Sequence, residues 1–265
     1  MRKTGPIIAM AVFALTACDP GPGSAPPPAP ALTAPVTDVA QLVAAARAGI
    51  AQAPSAAFTT DAVVGPDTKS VTGSLRFDGS TSSLTMLLDG SEVRVLGKKT
   101  YTRTPGAAIP GKPWVGTDPD SPDPMAQAAG VVVPTIVQLP DLGRALAEIE
   151  RTGRIVSADR TGLANHYRLE LDPTKAPDLF PEFIRVPLDG KPAAPITGKL
   201  PAELWLDAAL RPARFTVDLS PGFEQPGPTV KGTTEYRDWG EPVTIEAPPG
   251  DQVVDLSELL KKLGT

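Results

Sequence analysis

Val71-Thr72-Gly73-Ser74-Leu75-Arg76-Phe77 alternates throughout: Val71, Gly73, Leu75 and Phe77 point one way, and Thr72, Ser74 and Arg76 the other. A period of two marks a strand buried on one face and wet on the other, as in antiparallel sheets. The same period governs Phe58 to Val64, Leu84 to Leu88, Glu92 to Leu96 and Thr100 to Arg103. Between these runs lie Gly65-Pro66-Asp67, Asp78-Gly79-Ser80, Asp89-Gly90 and Gly97-Lys98, turns short enough to join antiparallel neighbours. Strands resume at Arg154 to Ala158 and at Asn165 to Leu171, where Tyr167, Leu169 and Leu171 alternate with His166, Arg168 and Glu170. Ala202 to Asp207, Ala213 to Leu219 and Thr229 to Trp239 follow, with a tail through Val243, Ile245, Val253 and Leu256. The total is about ten antiparallel strands.

Helical spacing interrupts this pattern. Thr37 reads as an N-cap, and Val39, Leu42, Val43, Ala46 and Ile50 share a helix face before Pro54 stops the segment. A second amphipathic helix runs from Asp141 to Arg151 on Leu142, Leu146 and Ile149 and ends near Gly153. Met125 to Leu139 is the most apolar stretch beyond the N-terminus, and Pro134 and Pro140 divide it into short helical pieces. Pro105 to Pro124 reads as a loop that holds Trp114 and an acidic tip of Asp118, Asp120 and Asp123. Residues 172 to 200 contain too many prolines for a central strand, so a helical turn around Leu179 to Ile184 and an exposed loop are expected there. Without a fixed repeat or strand-helix alternation, the economical fold is α+β: a single curved antiparallel sheet with helices over one face.

The chain has 265 residues and a formal charge of −5, with 32 prolines, 24 glycines and 41% hydrophobic residues. An acidic chain without a basic patch is a poor partner for nucleic acid, and it lacks the polybasic segment that would hold it on an anionic membrane.

The N-terminus supplies another attachment. Arg2 and Lys3 precede an uncharged apolar segment from Pro6 to Leu15, the layout of a secretory signal peptide. Leu15-Thr16-Ala17-Cys18 then resembles the lipobox of bacterial lipoproteins, whose cysteine receives a diacylglyceryl group and becomes the new N-terminus. The run is too short for a membrane-spanning helix, which needs about twenty apolar residues. Cys18 is the sole cysteine, which rules out a disulfide framework or a cysteine zinc cluster. The expected division is a lipoprotein signal peptide over 1–17, an acylated cysteine and Pro/Ala/Gly-rich tether over 18–36, and one folded domain over 37–265. That places the domain, fastened through palmitate or similar acyl chains, on the extracytoplasmic face of the cell membrane.

Catalytic motifs are scarce. His166, the only histidine, falls on the outer face of its strand and reads as a solvated surface residue. No Gly-x-Ser-x-Gly elbow or Ser-x-x-Lys pair supplies an activated serine. The acidic tip lacks the glycine and terminal glutamate of a calcium-binding EF-hand loop, and no glycine-rich phosphate loop follows a strand. The chain is therefore expected to be no enzyme, with neither cofactor nor metal; an envelope hydrolase is the least supported class.

The order of elements carries a resemblance. A lipobox, a proline-rich tether, a leading helix, five hairpin strands, a helical insert and the Leu204-Trp205-Leu206-Asp207-Ala208 hairpin come in turn. The end runs from Tyr236-Arg237-Asp238-Trp239-Gly240-Glu241-Pro242-Val243-Thr244-Ile245 through Ala247-Pro248-Pro249 to Val253-Val254-Asp255-Leu256. From about Val36 to Leu260 this is similar to the actinobacterial, mycobacterial-type LppX/LprAFG lipoproteins.

That resemblance implies a LolA/LolB-like fold, an unclosed β-barrel whose concave face and covering helices enclose a cavity for acylated lipids. Leu75, Phe77, Leu84, Met86, Val93, Val95, Tyr167, Leu169, Leu204, Leu206, Phe215 and Val217 would line it. Val131, Val132, Val133, Ile136, Leu139, Leu142 and Leu146 would form its helical mouth. The ligand would be a lipid or lipoglycan, the protein a monomeric carrier, and its partners the membrane through Cys18 and an envelope transporter. The alternative is a filled core and a non-carrier lipoprotein that scaffolds or modulates a partner.

Overall fold

A computed structural model describes residues 34–78, 81–103, 105–106, 109–118, 120, 135–162, 164–176, 198–222 and 229–263. The expected signal segment, Cys18 and nearly all of the expected tether lie outside these residues, as do the expected turn around Leu179 to Ile184 and the expected mouth residues Val131, Val132 and Val133.

Helix α1 (Val39–Gln52) is capped by Asp38, whose side chain accepts from the Gln41 amide at 3.0 Å. The expected cap at Thr37 is thus one residue early. Five strands follow as a meander: β1 (Ser55–Val64), β2 (Asp67–Asp78), β3 (Thr81–Leu88), β4 (Ser91–Leu96) and β5 (Lys99–Arg103). The expected loop around Trp114 is corrected, because Trp114–Thr117 forms strand β6 beside β5. Two helices come next, α2 (Thr135–Gln138) and α3 (Leu142–Thr152), the latter capped by Asp141 and ended at Gly153. A second meander comprises β7 (Gly153–Thr161), β8 (Ala164–Leu171), β9 (Leu200–Leu206), β10 (Pro212–Asp218) and β11 (Val230–Arg237). The tail forms β12 (Val253–Asp255) and helix α4 (Leu256–Leu263).

All twelve strands belong to one sheet, in the order β12-β6-β5-β4-β3-β2-β1-β11-β10-β9-β8-β7. The expected count of about ten rises by β6 and β12, and the β12–β6 pair is parallel where every other pair is antiparallel. The two meanders join where β1 pairs with β11, and at that seam the Thr60 and Thr234 hydroxyls share a buried hydrogen bond of 2.8 Å. Between β11 and β12 the chain crosses the sheet as a strap. It is held by Ser55 Oγ donating to the Glu241 carbonyl at 2.7 Å and by Arg94 donating to the Glu246 carbonyl at 3.0 Å.

Alternation decides which side of the sheet is core. Phe58 of β1 lies opposite Gly73 of β2, and both face inward with Leu75 and Phe77. A Cβ on Gly73 would sit 2.2 Å from the Thr85 carbonyl oxygen and 2.6 Å from the Phe58 ring, so the bend of the sheet here needs a residue without a side chain. Helix α1 lies against β7 and β10, and α3 against β3, β7 and β8. Their apolar faces complete a continuous core with the concave side of the sheet.

Candidate functional site

The expected lining residues of the strands all sit at inward register positions of the sheet, and Leu142 and Leu146 lie on α3. Leu75, Phe77, Leu84, Met86, Val93, Tyr167, Leu169, Leu204, Leu206, Phe215, Val217, Leu142 and Leu146 are buried in the core; Val95 and Leu139 are partly buried against it. Ile136 lies in α2. Over β7 to β10 the wall is closed by packing: Leu42, Val43 and Ala46 of α1 and Leu142, Leu146 and Ile149 of α3 are each at most 2% exposed.

Two hollows remain. One, of about 20 Å³, lies between α3 and β10 and has room for a single water. Its walls are Gln138, Leu139, Asp141, Arg144, Ala145 and Glu148 on one side and Phe215, Val217 and Leu219 on the other. The second, of about 210 Å³, lies at the opposite end of the concave face and is lined by Leu88, Asp89, Ser91, Val93, Thr100, Thr102 and Val137. Of the residues expected at the cavity, Val93 reaches the larger hollow, while Leu139, Phe215 and Val217 face the smaller.

The junction of α2 and α3 roofs this region and is pinned to the sheet. The Tyr236 hydroxyl donates to the Pro140 carbonyl at 3.3 Å, and burial raises its pKa above the ordinary tyrosine value. Ser82 donates to the capping carboxylate of Asp141. Leu139 lies where a Cβ on Gly232 would come within 2.6 Å of it, so the sheet and the roof meet backbone to side chain. Arg144 ties the two helices together, donating to Gln138 and, through Nε, to Glu148 at 3.0 Å. Burial pushes the Glu148 carboxyl up to about 7, against the opposing pull of Arg144. At the far end of the core the Tyr167 hydroxyl accepts from the Val36 amide at 3.2 Å, and burial raises its pKa.

His166 corrects an expectation. It does face outward, but it is only 5% exposed, stacked on Trp205 at a centroid distance of 4.3 Å. Nε2 lies 2.6 Å from Glu203 and Nδ1 3.4 Å from Asp159, so both nitrogens are engaged by carboxylates. Arg214 covers the other face of Trp205 at 5.5 Å, which makes this a stack built across strands. The acidic tip is likewise paired: Asp120 with Lys98 at 2.9 Å and Asp118 with Lys99 at 3.2 Å, with Asp123 outside the described residues. Among the described residues no group of three or more His, Cys, Asp or Glu is placed to hold a metal ion.

No family model and no curated protein matches the sequence. Solved structures do match. LprF from Mycobacterium bovis is 17% identical, with 82% of this chain and 100% of that chain covered and a TM-score of 0.41. Lipoprotein LppX from Mycobacterium tuberculosis is 11% identical over 78% of this chain and 98% of its own, with a TM-score of 0.42. A LolA-superfamily protein from Nitrosomonas europaea is 9% identical over 81% and 96%, with a TM-score of 0.33. The structures that match thus include members of the family that the sequence resembles.

Proposed function

We propose that this protein is an envelope lipoprotein, anchored to the membrane through acylated Cys18, that binds acylated lipids on its concave face and carries or presents them without catalysis. The observation that carries this reading is the hollow of about 210 Å³ where helical cover thins, with Leu88, Val93 and Val137 as its apolar walls. An acyl chain leaving a membrane forfeits about 0.8 kcal/mol for each methylene exposed to water, so a carrier must offer apolar wall in its place. The lipobox-like N-terminal sequence supports the anchor, and the scarcity of catalytic motifs in the sequence supports the reading without catalysis.

Mass spectrometry of organic extracts from protein purified without detergent tests the reading, together with uptake of a fluorescent acyl probe. Co-purifying lipid and saturable uptake are expected; an empty extract with no uptake overturns it. Globomycin-sensitive processing and loss of membrane fractionation in Cys18→Ala test the anchor separately.

One observation favours a second reading, a scaffold or modulator of an envelope partner. Most of the expected lining residues are consumed in packing, and about 210 Å³ is below the 300–1,000 Å³ usual for ligand pockets. The same extraction decides between the two.

A further inference from the structure

The larger hollow is not uniformly apolar, and the sheet register explains why. Inward positions on β3 are Leu84, Met86 and Leu88; on β4 they are Ser91, Val93 and Val95. Val93 pairs with Thr102 and Val95 with Thr100, so both threonines of β5 share the inward face. Moving from β3 to β5, the wall changes from hydrocarbon to hydroxyl. Thr100 is buried, and the Ser91, Thr100 and Thr102 hydroxyls have no hydrogen-bond partner among the described residues. Leu88, beside Ser91 on the neighbouring strand, and Val137 of α2 complete the apolar part of the lining.

The charge of the lining is equally one-sided. Asp89 is its only charged member among the described residues, exposed at the β3–β4 turn and paired with Lys69 at 2.6 Å. Among the described residues that line the hollow there is no cation to receive a carboxylate or a phosphate. A plain alkyl chain fits no better, because it would strip water from three hydroxyls and return nothing.

We propose that this hollow receives the neutral, hydrogen-bonding joint of an acylated ligand, the ester or polyol segment where chain meets headgroup, and selects against an anionic group at that point. This rests on the lipid-binding reading above and names the ligand chemistry of the same site. Carbonyl and hydroxyl oxygens of the joint would accept from Ser91, Thr100 and Thr102, while the first methylenes of the chain lie along Leu88, Val93 and Val137.

Titration calorimetry of the full protein, below the micellar concentration of each probe, tests the assignment with three ligands of one chain length: decanoylglycerol, decyl glucoside and decanoate. The two neutral probes should bind at least about tenfold more tightly than decanoate. Thr100→Val combined with Thr102→Val keeps the shape and removes two donors. It should weaken the neutral probes about tenfold and leave decanoate within about twofold. Equal affinities for all three probes in the wild type would overturn the assignment while leaving lipid binding intact, and that comparison does not depend on the variant folding. Binding of the neutral probes unchanged in a variant of native circular dichroism would overturn it as well. If no probe binds the wild type, both the assignment and the lipid-binding reading fall.

Discussion

Replacing Glu148 with Gln should flatten the pH dependence of folding stability between about pH 4.5 and pH 7. The carboxyl ionises at its ordinary value of 4.5 when the chain is unfolded, and burial raises it to about 7 in the native protein. Between those values the native state keeps a proton that the unfolded chain has released. The stabilisation tied to the neutral carboxyl is therefore complete below the unfolded value and is lost as pH rises through the folded one. A shift of this size, at 1.36 kcal/mol for each unit, amounts to about 3 kcal/mol. Glutamine is neutral at every pH and its carbonyl can still accept from Arg144 Nε, so the variant should keep what the wild type loses. Other titrating groups, such as Asp172, held at about 2 chiefly by its hydrogen bond from Lys199, cancel in the comparison of the two proteins. Urea unfolding across this range measures it: the wild-type midpoint should fall relative to that of the variant as pH rises. Parallel pH profiles, or a variant less stable by the same amount at all pH values, would refute the burial argument.

Gly73→Ala should cost about 3 kcal/mol, because its new methyl meets a backbone oxygen at 2.2 Å and not a movable side chain; thermal unfolding should shift down by roughly 10 °C. Tyr167→Phe removes the acceptor for the Val36 amide, so hydrogen exchange at Val36 should accelerate while stability falls by about 1 kcal/mol. Val93→Asp sets a carboxylate among Leu88 and Val137 and should abolish acyl-probe uptake; uptake at wild-type level would show that the hollow is not the binding site. His166→Ala should lower the midpoint of unfolding by about 1 kcal/mol through loss of its stack on Trp205, yet leave uptake unchanged, since it lies on the opposite face of the sheet.

The long strands were legible because period-two runs such as Val71 to Phe77 sit between turns with a defined chemistry, and all ten such runs are strands. Trp114–Thr117 is harder to read: four residues are too few to show a period, and a glycine is among them. Val253–Asp255 is three residues long and pairs in parallel with a strand far off in sequence, so it depends on the strap reaching the other edge of the sheet. The outward direction of His166 follows from alternation, but its burial depends on Trp205 standing directly across on β9, which is a matter of register. The hydroxyl wall escapes an apolar reading for the same reason. Thr100 and Thr102 look like solvent-facing strand residues until their pairing with Val95 and Val93 turns them inward.

Topology also explains why space is left at one end of the sheet and not at the other. α3 runs straight into β7 at Gly153, so it must fold back over β7 and β8, and α1 reaches β1 through only Ala53 and Pro54. Both helices are thereby committed to the end where the core is full. Strands β3, β4 and β5 are joined by the tight turns Asp89-Gly90 and Gly97-Lys98, which leave no chain for a helix of their own. Among the described residues, the helical element that reaches the hollow at that end is α2, through Val137. The pins on α2 and α3 then matter for exchange of any occupant. Ser82 to Asp141, Tyr236 to Pro140 and Arg144 to Gln138 are hydrogen bonds that can break singly, whereas the strands beneath are tied by continuous ladders. Entry to the hollow should therefore proceed by movement of the helical roof over a fixed sheet.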